Sequence, residues 1–350
     1  MTGMTAGPEI AVIVHAYRRT EFLPSALRSI ADQTLARDRF ELVVTKSFDD
    51  GPSDRAVSAL GAISLHDPDR WNSRCLRRAV RATHAPIVAF LDDDDEFEPE
   101  RLERLLDTME RHPDVGFYRN RVRVIDARGR LVPTERWRSH ERDEALDTLG
   151  PLHIPSDGKA GLLELLTRTV TATFNTSSMA IRRELLDGDV GEAFDEARIN
   201  ADLFLFLAGV LAPRGIYLDD RRLTRYRFYS GNVTRRTSWL GDAAESHRAM
   251  SALAARHGRD DFAGWLAALS VHYERMFRGG TLVEKVAAGA DRSEVARLAE
   301  EYVRFLGDHA RERALTLDVW AAGAYGLAYL CAPRAAQRVA RARLASRGFA

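Results

Sequence analysis

Four consecutive aspartates, Asp92-Asp93-Asp94-Asp95, follow directly on the apolar run Ile87-Val88-Ala89-Phe90-Leu91. A short unbroken apolar run of this kind suits a buried central strand of a parallel sheet. Pro99 is placed to open an amphipathic helix with Leu102, Leu105, Leu106 and Met109 on one face. The acids therefore sit at the carboxyl end of a strand, just before a helix, the edge where open α/β sheets bind ligands. Carboxylates this close repel one another, and burying them unpaired is costly. A hard divalent cation resolves the conflict, because it takes one or two carboxylates together with substrate phosphates. A solvated acidic turn is the plainer reading of an acid run, and the strand-end position weighs against it. An EF-hand loop fits Asp92, Asp94, Glu96 and Glu103 by spacing. Phe97 stands where that loop needs glycine, however, and Pro99 starts a helix inside it.

The chain ahead of the acid run alternates strand and helix at short spacing, the pattern of a parallel sheet with right-handed crossovers. Ile10 to Val14 predicts a first strand, and His15 to Arg19 a loop. Thr20 is then a helix cap, with Pro24 in the first turn and Phe22, Leu23, Ala26, Leu27 and Ile30 as the apolar stripe. Phe40 to Val44 is a second strand, Asp49 to Asp54 turn chemistry, Arg55 to Leu60 a short helix, and Ala62 to Leu65 a third strand. Trp71 to Thr83 is a helix. Beyond the acid run, Val115–Arg119, Val122–Ile125, Ile216–Leu218 and Leu223–Tyr229 predict four separate strands, and Leu162–Leu166 and Ala201–Leu211 two helices. Residues 133–160 form a polar, proline-marked loop of a length that is usually functional. Trp239 onward is helical by pattern, so a boundary is placed near 235: a nucleotide-binding domain over 1–235 and a helical region over 236–350.

A chain of 350 residues can bury a substantial core. Its formal net charge of zero gives no case for nucleic acid. Cys75 and Cys331, the two cysteines, lack metal or disulfide spacing and suit a reducing, cytoplasmic setting. No signal peptide or spanning run is visible.

Five segments in order resemble family 2 glycosyltransferases. Val12-Ile13-Val14-His15-Ala16-Tyr17-Arg18-Arg19 is similar to their opening strand and loop, and Val88 to Glu96 with Pro99 looks like their Asp-X-Asp segment. Asn175 to Arg183 resembles the acceptor-side strand, Asn200-Ala201-Asp202 sits where Glu-Asp is usual, and Tyr226 to Asn232 resembles the closing segment. The resemblance covers roughly residues 9 to 235. It implies a GT-A fold, Rossmann-like, with a mostly parallel central sheet flanked by helices, followed here by the C-terminal helical region. It also implies an inverting, metal-dependent transfer of sugar from a nucleotide-sugar donor. Ala16, Tyr17, Arg19, Asp92 and Asp93 would then lie on the donor side. Asp94, with Asp92, would hold Mn²⁺ or Mg²⁺, and Asp202 would be the catalytic base. The acceptor would be a saccharide, a lipid-linked or a small-molecule hydroxyl.

Three departures stand out. The second strand lacks the terminal aspartate that reads the base, so Asp49 or Asp50 would have to reach it across a bulge, or base recognition differs. The closing histidine is Tyr229. The arginine segment before the acid run is degraded, leaving Arg74, Arg77 and Arg78 unassigned. A non-catalytic nucleotide-sugar-binding module remains an alternative. A nucleotidyltransferase fits less well, since His15 to Arg19 has no glycine for a triphosphate loop. Residues 133–160 would be an acceptor lid. Arg334, Arg338, Arg341, Arg343 and Arg347 form a basic amphipathic tail, either packed on the protein with a solvated face or in peripheral contact, through 320–347, with the inner face of a membrane.

Overall fold

A computed structural model of the chain describes residues 7–133, 144–168, 172–229, 237–309, 328 and 331–346. The chain packs into two units, Met1–Ser230 with Arg256–Arg259, and Gly231–Ala255 with Asp260–Ala350.

The first unit is built on a nine-stranded sheet: β1 Ile10–Ala16, β2 Phe40–Lys46, β3 Ile63–His66, β4 Ile87–Asp92, β5 Glu96–Phe97, β6 Val115–Ile125, β7 Leu152–Ile154, β8 Met179–Arg182 and β9 Gly215–Arg227. The order is β3-β2-β1-β4-β8-β6-β9-β5, with β7 paired to β9. The β3-β2-β1-β4 half is wholly parallel, and its register sets His15 level with both Thr45 and Asp92. Three strands therefore deliver their loops to one edge. β8 runs antiparallel to β4 and to β6, so β6 and its parallel neighbour β9 point the same way as β4.

The apolar runs lack alternation because both faces of the sheet are covered. On one face Val12, Val14, Leu42, Val44, Ala89 and Leu91 pack against helix α1 (Leu23–Ala31) and helix α4 (Arg101–Arg111), through the Leu23/Ala26/Leu27/Ile30 and Leu102/Leu105/Leu106/Met109 stripes. Helix α3 (Asn72–Arg81) lies on β1 and β2, where Ile13, Val43 and Phe90 are fully buried. α2 (Gly51–Ala59), α5 (Glu144–Leu149), α6 (Leu162–Arg168), α7 (Gly188–Glu196) and α8 (Ala201–Leu211) complete the unit.

Several local expectations are corrected. Thr20 does not cap α1; Phe22 occupies the cap position without a side-chain bond. α2 begins at Gly51, inside the expected turn, because the Asp50 carboxylate accepts the Ser53 amide at 3.0 Å. Pro99 precedes α4 by a turn rather than opening it, and Glu100 is the cap. The two strands expected over 115–125 are one, as are the two expected over 216–229, which end at Arg227. Their shared ladder absorbs the polar interruptions as register shifts near Asn120 and Arg121. α7 carries too weak a stripe to stand out in the sequence. The expected loop over 133–160 holds α5, β7 and a 3-10 turn, Ser156–Lys159; residues 134–143 lie outside the described residues. Lys159 is buried and donates to the last carbonyls of α8, at 2.7 Å to Gly209, 3.2 Å to Val210 and 2.7 Å to Ala212. A cation there complements the negative end of the helix dipole.

The second unit contains α9 Thr237–Arg256, α10 Asp260–Ala288, α11 Arg292–Asp308 and α12 Pro333–Ser346. Leu282 and Val286 of α10 meet Val295, Tyr302 and Leu306 of α11 and Ala336 and Ala340 of α12 in one buried cluster. The basic helix is thus a packed element: Gln337 and Arg341 donate to the Ala287 carbonyl, at 3.2 and 2.9 Å, closing the end of α10. Arg334 and Arg338 stay exposed; Arg347 and most of 320–330 lie outside the described residues. No described helix is long and apolar enough to cross a membrane.

α8 is buried nearly all round, as expected of a helix apolar on every side. Its close approach to β6 depends on Gly209, where an added Cβ would stand 2.5 Å from the Phe117 Cβ. Gly209→Ala should therefore destabilise the fold by about 1–3 kcal/mol through overpacking, outweighing a helix-propensity gain of about 1 kcal/mol. Urea unfolding checks this: a midpoint that rises instead of falling refutes the packing account.

Candidate active site

The parallel half of the sheet ends in three loops at one edge. β1 turns at Arg18, which has φ +57° and donates its amide to Ser47 Oγ at 3.0 Å, tying the first loop to the end of β2. β4 ends at Asp92, and the Asp93 amide reaches the His15 carbonyl at 3.2 Å. The acids thus emerge against the β1 loop.

Arg19 lies across them. Its guanidinium pairs with Asp93, reaches Asp94 Oδ2 at 2.5 Å, and donates to the Tyr229 hydroxyl at 2.7 Å. The Tyr229 hydroxyl in turn donates to Asp94 Oδ2 at 3.2 Å. Burial pulls the Arg19 pKa down, but Asp93 and Asp94 outweigh it and hold the guanidinium above its usual value. Burial, with the neighbouring Asp94, pushes the Tyr229 hydroxyl up to about 12. Tyr229, where the resemblance to the family places a histidine, is thus a neutral donor.

The four carboxylates have distinct surroundings. Asp93 and Asp95 are each 1% exposed. Asp95 accepts from Asn175 Nδ2 at 2.7 Å, Ser177 Oγ at 2.6 Å and the Arg227 amide at 2.8 Å, so it is a structural node between β4, the Asn175 loop and β9. Arg227 donates from Nε to the Asp94 carbonyl at 2.8 Å, pairs with Glu96 at 2.5 Å, and lies 4.7 Å over the Phe22 ring. Burial raises the pKa of Asp93 against the pull of Arg19, and raises that of Asp95 with help from Asp94. Asp92 is held well above the carboxylate range by burial and by repulsion from Asp95, Asp94 and Asp93. No side chain among the described residues hydrogen-bonds its carboxylate. Asp92, which has no such partner, and Asp94, which shares Arg19 with Asp93, offer the oxygen ligands that a hard divalent cation takes.

Asn175 joins the acid run to Asp202. It has φ +68°, and its side chain holds Asp95 while its amide donates to Asp202 Oδ2 at 3.2 Å. Asp202 lies in the first turn of α8, and its Oδ1 accepts the Leu203 amide at 2.9 Å. Burial raises its pKa, and the Leu203 and Asn175 amides partly offset the rise. The residue before α8, Asn200, has φ +61°. The structure therefore brings Asp92, Asp93, Asp94, Arg19 and Asp202 to one edge. Tyr17 is half-buried there, beneath the Arg18 guanidinium at 5.1 Å. Ala16 turns its methyl into the core, leaving only its backbone for a ligand.

The unassigned residues also resolve. Asp50 is spent capping α2, whereas the Asp49 side chain is 84% exposed. Lys46, at the end of β2, pairs with Asp54 at 2.6 Å and with Asp49 at 3.6 Å. Arg78 grips Asp67 at 2.5 Å, while Arg74 and Arg77 donate to carbonyls of α7 at 2.8 and 3.3 Å. Asn175 and Arg227 escaped the sequence reading as individual site residues. An asparagine in a polar stretch is a residue that tolerates left-handed backbone, and that was the available signal.

Comparisons with known proteins give the family and the fold. The model of "Glycosyl transferase family 2" matches residues 11–187, half of the chain. An uncharacterized glycosyltransferase of Haemophilus influenzae is 27% identical over 113 residues, 31% of this chain and 37% of that protein. One of Nostoc sp. is 25% identical over 194 residues, 51% of this chain and 52% of that protein. The chain thus spans about half or less of these curated relatives. Among solved structures, S. aureus TarS 1–349 in complex with UDP-GlcNAc superposes with a TM-score of 0.57 at 16% identity, covering 95% of this chain and 89% of that one. Its complex with UDP gives 0.56 at 13%, covering 95% and 88%. These likenesses bear on the fold, which is GT-A. With the family match spanning β1 to β8, the strands that deliver Arg19 and the acid run, the chain belongs to glycosyl transferase family 2.

Proposed function

We propose that this chain transfers a sugar from a nucleotide-sugar donor to an acceptor hydroxyl, with Mn²⁺ or Mg²⁺ on Asp94 and Asp92, Asp202 as general base, and inversion at the anomeric carbon. The observation that carries the reading is Asn175, whose two hydrogen bonds tie Asp202 to the acid run at the carboxyl ends of β1 and β4. The S. aureus protein of the same fold binds UDP-GlcNAc, and a donor of that class is proposed here, with the base read by the exposed Asp49 or by backbone at the β2 end.

Bound at Asp94 and Asp92, the cation would offset the charge that grows on the diphosphate as the glycosidic bond breaks. Asp92 also faces the donor, where a carboxylate stabilises an oxocarbenium-like anomeric centre. Asp202 accepts the proton of the attacking hydroxyl. Its raised pKa makes it a stronger base than a solvated carboxylate, and such proton transfer contributes about 10²–10⁴-fold. Tyr17 and the Ala16 backbone line the nucleotide. Arg19, paired with Asp93 and Asp94 at rest, finds in the diphosphate an equivalent bidentate acceptor. The acceptor is a saccharide, a lipid-linked or a small-molecule hydroxyl.

Three experiments test this reading. Nucleotide sugars are screened with and without Mn²⁺ by thermal shift and donor turnover, and Asp94→Ala should lose the metal-dependent part of both; unchanged turnover rules out the metal assignment. Asp202→Asn should keep donor affinity within a few-fold while kcat falls about 10²–10⁴-fold; loss of donor binding would make Asp202 structural. Arg19→Gln removes a positive charge from Asp94. Mn²⁺ should then bind more tightly in the absence of donor, while donor affinity falls, as read by Mn²⁺ EPR titration and by calorimetry. Weaker Mn²⁺ binding in this variant would contradict the competition.

A further inference from the structure

We propose a second metal site, for a borderline divalent cation such as Zn²⁺, formed by His112, Asp114 and His153 at the sheet edge opposite the active site. β6 runs the same way as β4. Asp92 lies at the end of β4 and Asp114 just before the start of β6, so the two clusters occupy opposite edges.

Three separate segments supply the ligands. His112 follows α4, Asp114 leads into β6, and His153 is the middle residue of β7, in register with Tyr217 of β9. One nitrogen or oxygen from each lies within 4.8 Å of the others. His153 Nε2 and Asp114 Oδ2 are 2.8 Å apart, within hydrogen-bond distance. The His112 ring stands 4.7 Å from the His153 ring and 5.2 Å from that of Tyr217. Among the described residues nothing hydrogen-bonds the His112 ring. The aspartate–histidine contact therefore accounts for two members of the cluster and leaves the third imidazole, half-exposed, with no hydrogen-bond partner among the described residues at the same spot.

The backbone is cleared for this convergence. An added Cβ at Gly215 would stand 2.6 Å from Asp114 Oδ2 and 3.3 Å from His153 Nε2. The Gly215 amide holds the Asp114 carbonyl at 2.9 Å. Only a residue without a side chain lets the carboxylate and the imidazole meet over the start of β9.

Zn²⁺ binds imidazole nitrogen and carboxylate oxygen at about 2.0–2.2 Å, which places tetrahedral ligands roughly 3.3 Å apart. A cation replaces the proton between His153 and Asp114, and His112 closes on it by side-chain rotation. Water takes the fourth position, since Asp114 and His153 are exposed. Two imidazoles with one carboxylate select Zn²⁺ and its transition-metal neighbours over Mg²⁺, which prefers oxygen. Arg182 and Arg214 donate to the Pro113 carbonyl nearby, at 3.1 and 3.2 Å, and their charge tempers the affinity. Bound metal would staple the three-residue β7 to the α4–β6 corner.

The full chain, freed of metal with a chelator, is titrated with Zn²⁺ by calorimetry in excess Mg²⁺, which saturates the oxygen site. One equivalent should bind in the micromolar range or tighter, and Co²⁺ should give the visible absorption of a four-coordinate site. His112→Gln combined with His153→Gln should weaken Zn²⁺ by about tenfold or more, with metal-free thermal unfolding compared to confirm folding. Asp114→Asn, which keeps size and a hydrogen bond, should weaken it likewise and decides the matter if the double variant does not fold. No uptake by the wild type, or uptake unchanged in the folded variants, overturns the site.

Discussion

Mutual repulsion among Asp92, Asp93, Asp94 and Asp95 is the constraint around which the first unit is arranged. Two unit charges 4 Å apart in a setting of intermediate dielectric interact by about 4 kcal/mol, so such a run cannot lie at a buried strand end without counter-charge. The chain meets the demand unevenly. Asp93 and Asp94 share one guanidinium, Arg19. Asp95 is satisfied by neutral donors from Asn175 and Ser177 and by the Arg227 amide. The Arg227 guanidinium goes to Glu96 and to backbone carbonyls. Among the described residues no side chain hydrogen-bonds the Asp92 carboxylate, which is the one left for a ligand.

Backbone strain follows the same map. Among the described residues three that are not glycine have positive φ: Arg18, Asn175 and Asn200. Each such conformation costs about 1–3 kcal/mol and persists only where its surroundings over-determine it. Arg18 turns the first loop so that Arg19 reaches the acids. Asn175 bridges Asp95 and Asp202. Asn200 ends the approach to α8 so that Asp202 falls in the first turn. Strain spent at these three places aims side chains at one edge, and the anchors that sustain it are ordinary hydrogen bonds to Ser47 and Asp95.

The parallel half of the sheet was legible in the sequence because both its faces are buried, which leaves apolar runs with sharp ends. The acid run was legible for the same reason, since its charge starts where burial stops. β6 and β9 were misread as broken strands. Their polar interruptions, Asn120 and Arg121 on one and Asp219 and Arg222 on the other, are buried or paired across the ladder, and no local pattern shows this. Asp50 read as turn chemistry because an N-cap and a turn use the same residue types. Asp202 could be placed only through resemblance. Its distance from the acid run depends on Asn175, 27 residues earlier in the chain, and such a bridge leaves no periodic trace.

Arg19 connects the rest of this logic to ligand exchange. On the proposed function, a site that takes a divalent cation only together with its donor would have to stay stable without it, and a tethered guanidinium would achieve that at lower charge. It neutralises part of the run, holds Asp94 and Tyr229 in one network, and is displaceable because it remains partly solvated, with 28% of its side chain exposed. Asp93, at 1%, is its permanent anchor, and Asp94, at the outer end, is the contact to be surrendered. A cation arriving with a diphosphate would carry its own acceptors for the released guanidinium. On the proposed function the exchange would conserve the count of charge-assisted hydrogen bonds, with Asp93 and Asp94 paired in both the resting and the loaded site.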